Sequence, residues 1–256
     1  MSVVLVTGGT GTLGRQLVPV LAGRGHEVRV LSRRPGAGTH LGDLRTGAGL
    51  AAAADGAQLV VHAASDRRLG RSDLAQTERL LSAVPACAHL LYLSIVGVDA
   101  IPFSYYRVKL ACEDLVAASP VPSTTLRATQ FHELLAAALR AAERWPVAPL
   151  PLDLLVQSVA AREVAARAAD IIEGPALGRA TDFGGPEVLS GWQVTGAWRA
   201  HRGKPRAVVS VRLPGRLYRS FSRGLNTCPG YAEGRQTWTQ FVLGEQPAAA
   251  GRARPA

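Results

Sequence analysis

A chain of 256 residues has room for one sizeable core with a smaller appended lobe, and too little for two full domains of ordinary size. With 47% hydrophobic and 19% charged residues, the balance is globular and excludes a disordered or fibrous chain. A net charge of +10 would suit a polyanionic partner, but every basic residue except Lys109 and Lys204 is arginine, spread along the chain without an aromatic-interleaved stripe, so nucleic acid is not expected. Cys87, Cys112 and Cys228 are odd in number and far apart, which indicates neither a disulfide framework nor a zinc site. The chain holds no apolar run of the ~18 residues that span a bilayer and opens directly on "VVLV", so a cytoplasmic protein without a leader is expected.

The apolar run 3–7 reads as a buried parallel strand, followed at once by the glycines of "VTGGTGTLG". A helix is expected over 12–22, kinked by Pro19 and stopped by "GRGH", then a strand over 27–32. Further strands are read at 58–64, 89–96 and 123–129, with helices at 73–84 and 105–118. Strands alternating with helices imply an α/β fold with a doubly wound parallel sheet and helices on both faces. Beyond Gln130 the rhythm loosens into "FHELLAAALRAAERW", a Pro-rich stretch, the helix "AAREVAARAADII" and a segment with three of the four tryptophans. The expected organisation is a cofactor domain over 1–135, a small C-terminal substrate cap over 136–245 partly interleaved with the sheet, and a frayed tail over 246–256.

Glycines at the first strand-to-helix turn let the backbone approach a pyrophosphate, which the helix N-terminus then meets. They can be read in two registers, Gly9-Gly11-Gly14 or Gly8-Gly11-Gly14, and both bind dinucleotides. The second strand ends Ser32-Arg33-Arg34 without the acid that would bond an NAD ribose, and arginine suits the extra phosphate of NADP. NADPH is therefore the expected cofactor. Its expected contacts are Thr7, Gly8, Gly11, Thr12, Leu13, Gly14, Ser32, Arg33, Arg34, Asp43 and Leu44 of "GDL", and Ala63, Ala64 and Ser65 of "HAAS", with Ala128 and Lys109 on the nicotinamide side. No metal site is expected, and His62 is given a packing role.

Three residues are candidates for chemistry. Ser94 ends the "LLYLS" strand, and Tyr105 and Lys109 stand four apart, on one helix face. A phenol titrating near ~10 is a poor acid or base at neutral pH, and a neighbouring ammonium would lower it. Ser94 would hold the substrate oxygen. A lysine in a chain that otherwise uses arginine suggests a place where a compact ammonium is wanted. Tyr106 is the alternative to Tyr105, which could instead be a core tyrosine, with Lys109 an exposed helix residue.

Taken together, "TGGTGTLG", "GDL", "HAAS", "LYLSIVGVD", "YYRVKLACEDLV" and "TTLRATQFHELL" resemble the short-chain dehydrogenase/reductase superfamily, in its atypical or extended branch, and are most similar to the NmrA-like group of NAD(P)-binding proteins. The resemblance implies a Rossmann fold, with Ser94, Tyr105 and Lys109 matching the catalytic trio. The glycine spacing that goes with that trio is Gly8-Gly11-Gly14, which leaves Gly9 a loop residue that completes the other motif by coincidence. The spacing of Ser94 and Tyr105 is shorter than in most members, and Leu126-Arg127-Ala128 stands where many have Leu-Arg-Pro. The activity implied is NADPH-dependent reduction of a small carbonyl-type substrate lying near Phe103, Gln130, Phe131, His132 and Trp145, with the latter two open to purely structural roles. The alternatives are a redox-sensing NADP(H) binder without turnover, or an epimerase or dehydratase that uses nicotinamide transiently. A homodimer is the protein association left open.

Overall fold

The apolar run Val3–Thr7 forms β1, and the chain then leaves the sheet through the glycines into α1, Gly14–Gly23. In this computed structural model residues 1–36, 38–66, 68–205 and 207–244 are described; the expected tail over 246–256 lies outside them. The chain continues through β2 (Glu27–Ser32), β3 (Thr39–Leu41), α2 (Leu50–Ala54), β4 (Leu59–His62), α3 (Asp73–Ala83), β5 (His89–Ile95), α4 (Ser104–Ala118) and β6 (Ser123–Ala128). After these come α5 (His132–Ala142), β7 (Val147–Leu150), β8 (Leu155–Val156), α6 (Ala161–Glu173), β9 (Gly178–Arg179), β10 (Leu189–Ser190), α7 (Gly191–Arg202), β11 (Ala207–Ser210), α8 (Arg216–Ser222) and α9 (Trp238–Leu243).

Seven strands pair in the order β3-β2-β1-β4-β5-β6-β9, all parallel. Because strand side chains alternate, the sheet has two apolar faces. Val4, Val6, Leu91 and Leu93 pack with Leu17 and Leu21 of α1 and with Val164, Ala165, Ala168 and Ile172 of α6. Leu5, Val60, Leu90 and Tyr92 pack on Ala53, Leu80, Cys112 and Val116 of α2, α3 and α4. Strand order runs outward in opposite directions from β1 and β4, and a doubly wound sheet opens its ligand crevice at the carboxyl ends of such a pair.

α1 passes through Pro19 unbroken. Pro19 is exposed, and its missing N–H deprives only the carbonyl of Arg15, in the first turn. Although α6 and β9 follow residue 135, they complete one face and one edge of the sheet. α5, α7 and α9 form a separate core in which Ala136, Leu139, Val194 and Trp198 surround Trp238, the two indoles stacking at 6.0 Å. Both α7 and α9 start on a complete capping box, Ser190 with Gln193 and Thr237 with Gln240.

Candidate active site

The glycine turn sets the cofactor half of the crevice. Gly8 has φ 72°, and a Cβ there would lie 2.6 Å from the carbonyl oxygen of Ala63 at the end of β4. Gly14 is tighter still: its Cβ would fall 2.3 Å from the Gly8 oxygen and 2.4 Å from Gly9 Cα. Gly11 is exposed, bonds its N–H to the Gly8 carbonyl and has only that oxygen near a virtual Cβ, at 3.1 Å. Gly9 is as constrained as its neighbours, since its Cβ would meet Val30 Cγ1 at 2.6 Å. It is thus no incidental loop residue, as the Gly8-Gly11-Gly14 register had implied: close packing of the turn on β2 requires it. Among the described residues the backbone N–H groups of Thr12 and Leu13 have no acceptor, and α1 has no acid in its first turn. A glycine cradle with free amides at a helix start fits a dinucleotide pyrophosphate.

Other expected cofactor residues differ in reach. Thr7 is fully buried and its hydroxyl meets His62 Nδ1 at 2.7 Å, so its side chain is a strand-end support. Leu13 and Leu44 are buried in the two faces of the sheet, and Ala63 and Ala64 are half-buried at the β4 end. Ala128 is buried, with its carbonyl bonded to Val96 N–H. At the end of β2, Ser32 Oγ bonds both the N–H and the carbonyl of Arg34. Arg33 and Arg34 are exposed and have no acidic partner among the described residues. Asp43 pairs with Arg45 at 3.1 Å, and that hydrogen bond chiefly holds its carboxyl below the usual range, the field of Arg33 adding to the effect.

The reaction half is built from polar groups taken out of water. Ser94 is the penultimate residue of β5, 6% exposed, and its Oγ has no hydrogen-bond partner. Lys109 is 4% exposed; Nζ donates to the carbonyl of Leu93 at 2.7 Å and lies 4.3 Å from the centre of the Tyr92 ring. Burial pushes Lys109 down to about 8 against the pull of Asp73, Cys112 and Glu113. His62 bridges Thr7 and Thr77, and burial lowers it to about 3, which fits the packing role.

Tyr105, half-buried at the start of α4, places its hydroxyl 3.1 Å from Ser65 Oγ. Ser65 in turn donates to Asp73 Oδ2 at 2.7 Å, while Asp73 Oδ1 accepts the N–H of Asp66 at 2.6 Å. The loop between them carries two consecutive left-handed residues, Leu69 and Gly70; a Cβ on Gly70 would lie 2.9 Å from the Tyr105 ring and 3.0 Å from Asp73 Oδ2. The expected lowering of the phenol by Lys109 is not found: burial raises the Tyr105 pKa and Asp73 adds to the rise, and only a Ser65 hydroxyl turned away from Asp73 and toward the phenol would oppose it. The Lys109 ammonium is turned to Leu93 and Tyr92 instead. Tyr106 is buried, accepts from Gln130 Nε2 at 3.1 Å and is pushed by burial up to about 12.

Phe103 packs edge-on to Tyr105 and beside Tyr106, and Phe221 of α8 covers Tyr106. Gln130 also accepts from Asn226, a buried residue with an unpartnered Oδ1. His132 is fully buried between Ser158 Oγ and the Gln236 carbonyl, against Trp238 and Phe241, and Phe131 packs on the sheet core. Trp145, expected in the core, is 61% exposed. Asp73 and Asn226 were not singled out from the sequence. Asp73 opens a helix, where an acid is ordinary, and Asn226 follows a loop with no pattern.

Residues 4–93 match the model of the NAD dependent epimerase/dehydratase family. No curated protein sequence matches the chain. Among solved structures, an NADPH-dependent quinone oxidoreductase from Escherichia coli, complexed with NADPH, superposes with a TM-score of 0.78 at 20% identity, over 94% of this chain and 99% of that one. A triphenylmethane reductase from a Citrobacter species gives 0.75 at 17% identity over 94% and 99%. A nucleoside-diphosphate-sugar epimerase from Staphylococcus aureus gives 0.74 at 16% over 97% and 98%. The N-terminal segment is thus similar to the NAD dependent epimerase/dehydratase family, and nearly the whole chain shares the Rossmann-like fold of these solved structures.

Proposed function

We propose that this protein is an NADPH-dependent oxidoreductase that reduces a small carbonyl-type substrate, with Tyr105 as the proton donor. The observation that carries the reading is a phenol kept neutral beside the mouth of the crevice. Tyr105 sits one turn from Lys109, whose ammonium bonds the residue before Ser94, and Ser94 Oγ lacks a protein partner.

Bound nicotinamide supplies the hydride. The Gly8-Gly11-Gly14 turn and the amides of Thr12 and Leu13 would hold its pyrophosphate, and Arg33 and Arg34 would meet the adenosine phosphate. Ser94 holds the substrate oxygen, Tyr105 gives it a proton, and the buried Lys109 holds the Leu93 carbonyl that precedes Ser94. A raised phenol pKa suits an acid better than a base, which favours reduction over oxidation. One structural neighbour is a triphenylmethane reductase, which supports the same direction here, and another is an NADPH-dependent quinone oxidoreductase. The epimerase reading rests on the family model and on the sugar-nucleotide neighbour.

Fluorescence titration with NADPH and NADH, followed by a panel of carbonyls, quinones and nucleotide sugars, tests the proposal. NADPH should bind more tightly, and Tyr105→Phe should reduce turnover about 100-fold or more while leaving cofactor affinity intact. Turnover of a nucleotide sugar alone, or a Phe variant as fast as wild type, would overturn it.

A further inference from the structure

Asp73 is 3% exposed and occupies the first turn of α3, an 11-residue helix whose dipole favours a negative charge there. Its two carboxylate oxygens are both acceptors, one for the Ser65 hydroxyl and one for the Asp66 amide. A serine has one proton. With that proton directed at Asp73, Ser65 meets Tyr105 only through a lone pair, so the hydrogen between the two oxygens 3.1 Å apart belongs to Tyr105.

We propose that Asp73 is a positioning residue: by holding the Ser65 proton it leaves Ser65 as an acceptor only, keeps Tyr105 as the neutral, proton-bearing phenol, and biases the site toward proton donation. The inference rests on Tyr105 being the acid of the proposed reaction. A phenolate at this position would lose its hydrogen bond to Ser65 and face a carboxylate about 6 Å away or less. A hydrogen bond accepted from the neutral form, and a like charge nearby, both disfavour ionisation. Other groups around the phenol do not cancel this. Cys112 on α4 adds to the rise, Tyr106 is a neighbouring phenol that burial pushes up to about 12, Gly70 presents only backbone, and the Lys109 ammonium is bonded to Leu93.

The test is the ultraviolet difference titration of tyrosinate in the full chain, with Tyr105→Phe subtracted to isolate this phenol; it needs neither substrate nor turnover. Asp73→Asn should raise the Tyr105 phenolate fraction severalfold at a fixed alkaline pH, because the carboxylate charge is gone and Ser65 is free to donate. Adding Ser65→Ala to Asp73→Asn should reverse most of that gain. Asp73→Ser, small and at home in a first helical turn, serves if the Asn variant fails to fold. In turnover the acid limb of the oxidative pH profile should move to lower pH in Asp73→Asn. A titration unchanged by removing the carboxylate, or a gain that Ser65→Ala does not reverse, overturns the proposal. A protein that turns over nothing while its titrations behave as stated would instead sink the reading of Tyr105 as a catalytic acid.

Discussion

The two halves of the crevice are made of different materials. On the cofactor side, backbone lies against backbone: Gly8 against Ala63, Gly14 against Gly8 and Gly9, with arginines in solvent beyond. On the reaction side, polar side chains are buried with incomplete partners: Lys109 on one carbonyl, Ser94 on none, Tyr105 on a serine already committed to Asp73. Shape governs the first half, so its failures should be steric and severe. Desolvation governs the second, so its residues should cost stability and show themselves in pH dependence.

The largest effect expected follows from the first half. Gly14→Ala places a methyl 2.3 Å from the Gly8 oxygen, a backbone atom that cannot step aside, and should cost about 3 kcal/mol or more of stability together with cofactor binding. Gly11→Ala, whose Cβ has nothing nearer than 3.1 Å, should fold normally and weaken only dinucleotide affinity. Urea unfolding paired with cofactor titration separates the two. If Gly11→Ala unfolds as readily as Gly14→Ala, close packing is not what distinguishes these glycines.

Lys109→Met tests the second half. It removes a buried cation that holds one carbonyl and one aromatic face. Turnover should fall about 100-fold, while thermal stability rises by about 1–3 kcal/mol, since replacing a buried charge by an apolar group of similar volume is often stabilising. Loss of both activity and stability would mean that the Leu93 carbonyl depends on this donor. Next comes acid. His62 and His132 are held to about 3 and about 4 in the folded chain against 6.5 when free. Between those values the unfolded state binds more protons, so stability falls as pH drops through 6.5. At pH ~5 each histidine should have cost about 2 kcal/mol relative to pH ~8. Denaturant midpoints that agree at the two pH values would show that these rings are not buried neutral.

The material of each half also decided how legible it was in the sequence. β1, β4 and β5 are largely apolar runs, β2 alternates valine with charged residues, β6 is rich in β-branched threonine, and the helices between them have clear stripes. β3, β9 and β10 are two or three residues long, too short for any period to register, and α2 is an alanine run without a polar face to orient it. The starts of α7 and α9 were readable in principle from Ser190 with Gln193 and Thr237 with Gln240, the capping-box spacing. That α6 lies against α1 and the sheet depends on Ala165, Ala168 and Ala169 allowing close approach, and small residues carry little signal alone. The serine, tyrosine and lysine were visible because their spacing has a chemical meaning. Asp73 was not, because its role is defined by a hydrogen bond to Ser65, a residue that sequence alone placed against the cofactor.

The smallest effect expected concerns cofactor choice, where neither close packing nor desolvation operates. Ser32 closes the end of β2 on Arg34 through two hydrogen bonds, and both Arg33 and Arg34 project from that turn into solvent. The nearby carboxylate that might have served an NAD ribose, Asp43, is engaged by Arg45. A phosphate would therefore find free guanidinium groups, whereas a ribose would find no free acid. Arg33→Asp should weaken NADPH binding by about 1 kcal/mol, roughly fivefold, and leave NADH binding unchanged or improved. Surface exposure keeps the loss modest and makes it salt-dependent, so the contrast should narrow as ionic strength rises. Equal losses for the two nucleotides would show that Arg33 supports the fold of the turn instead of reading the phosphate.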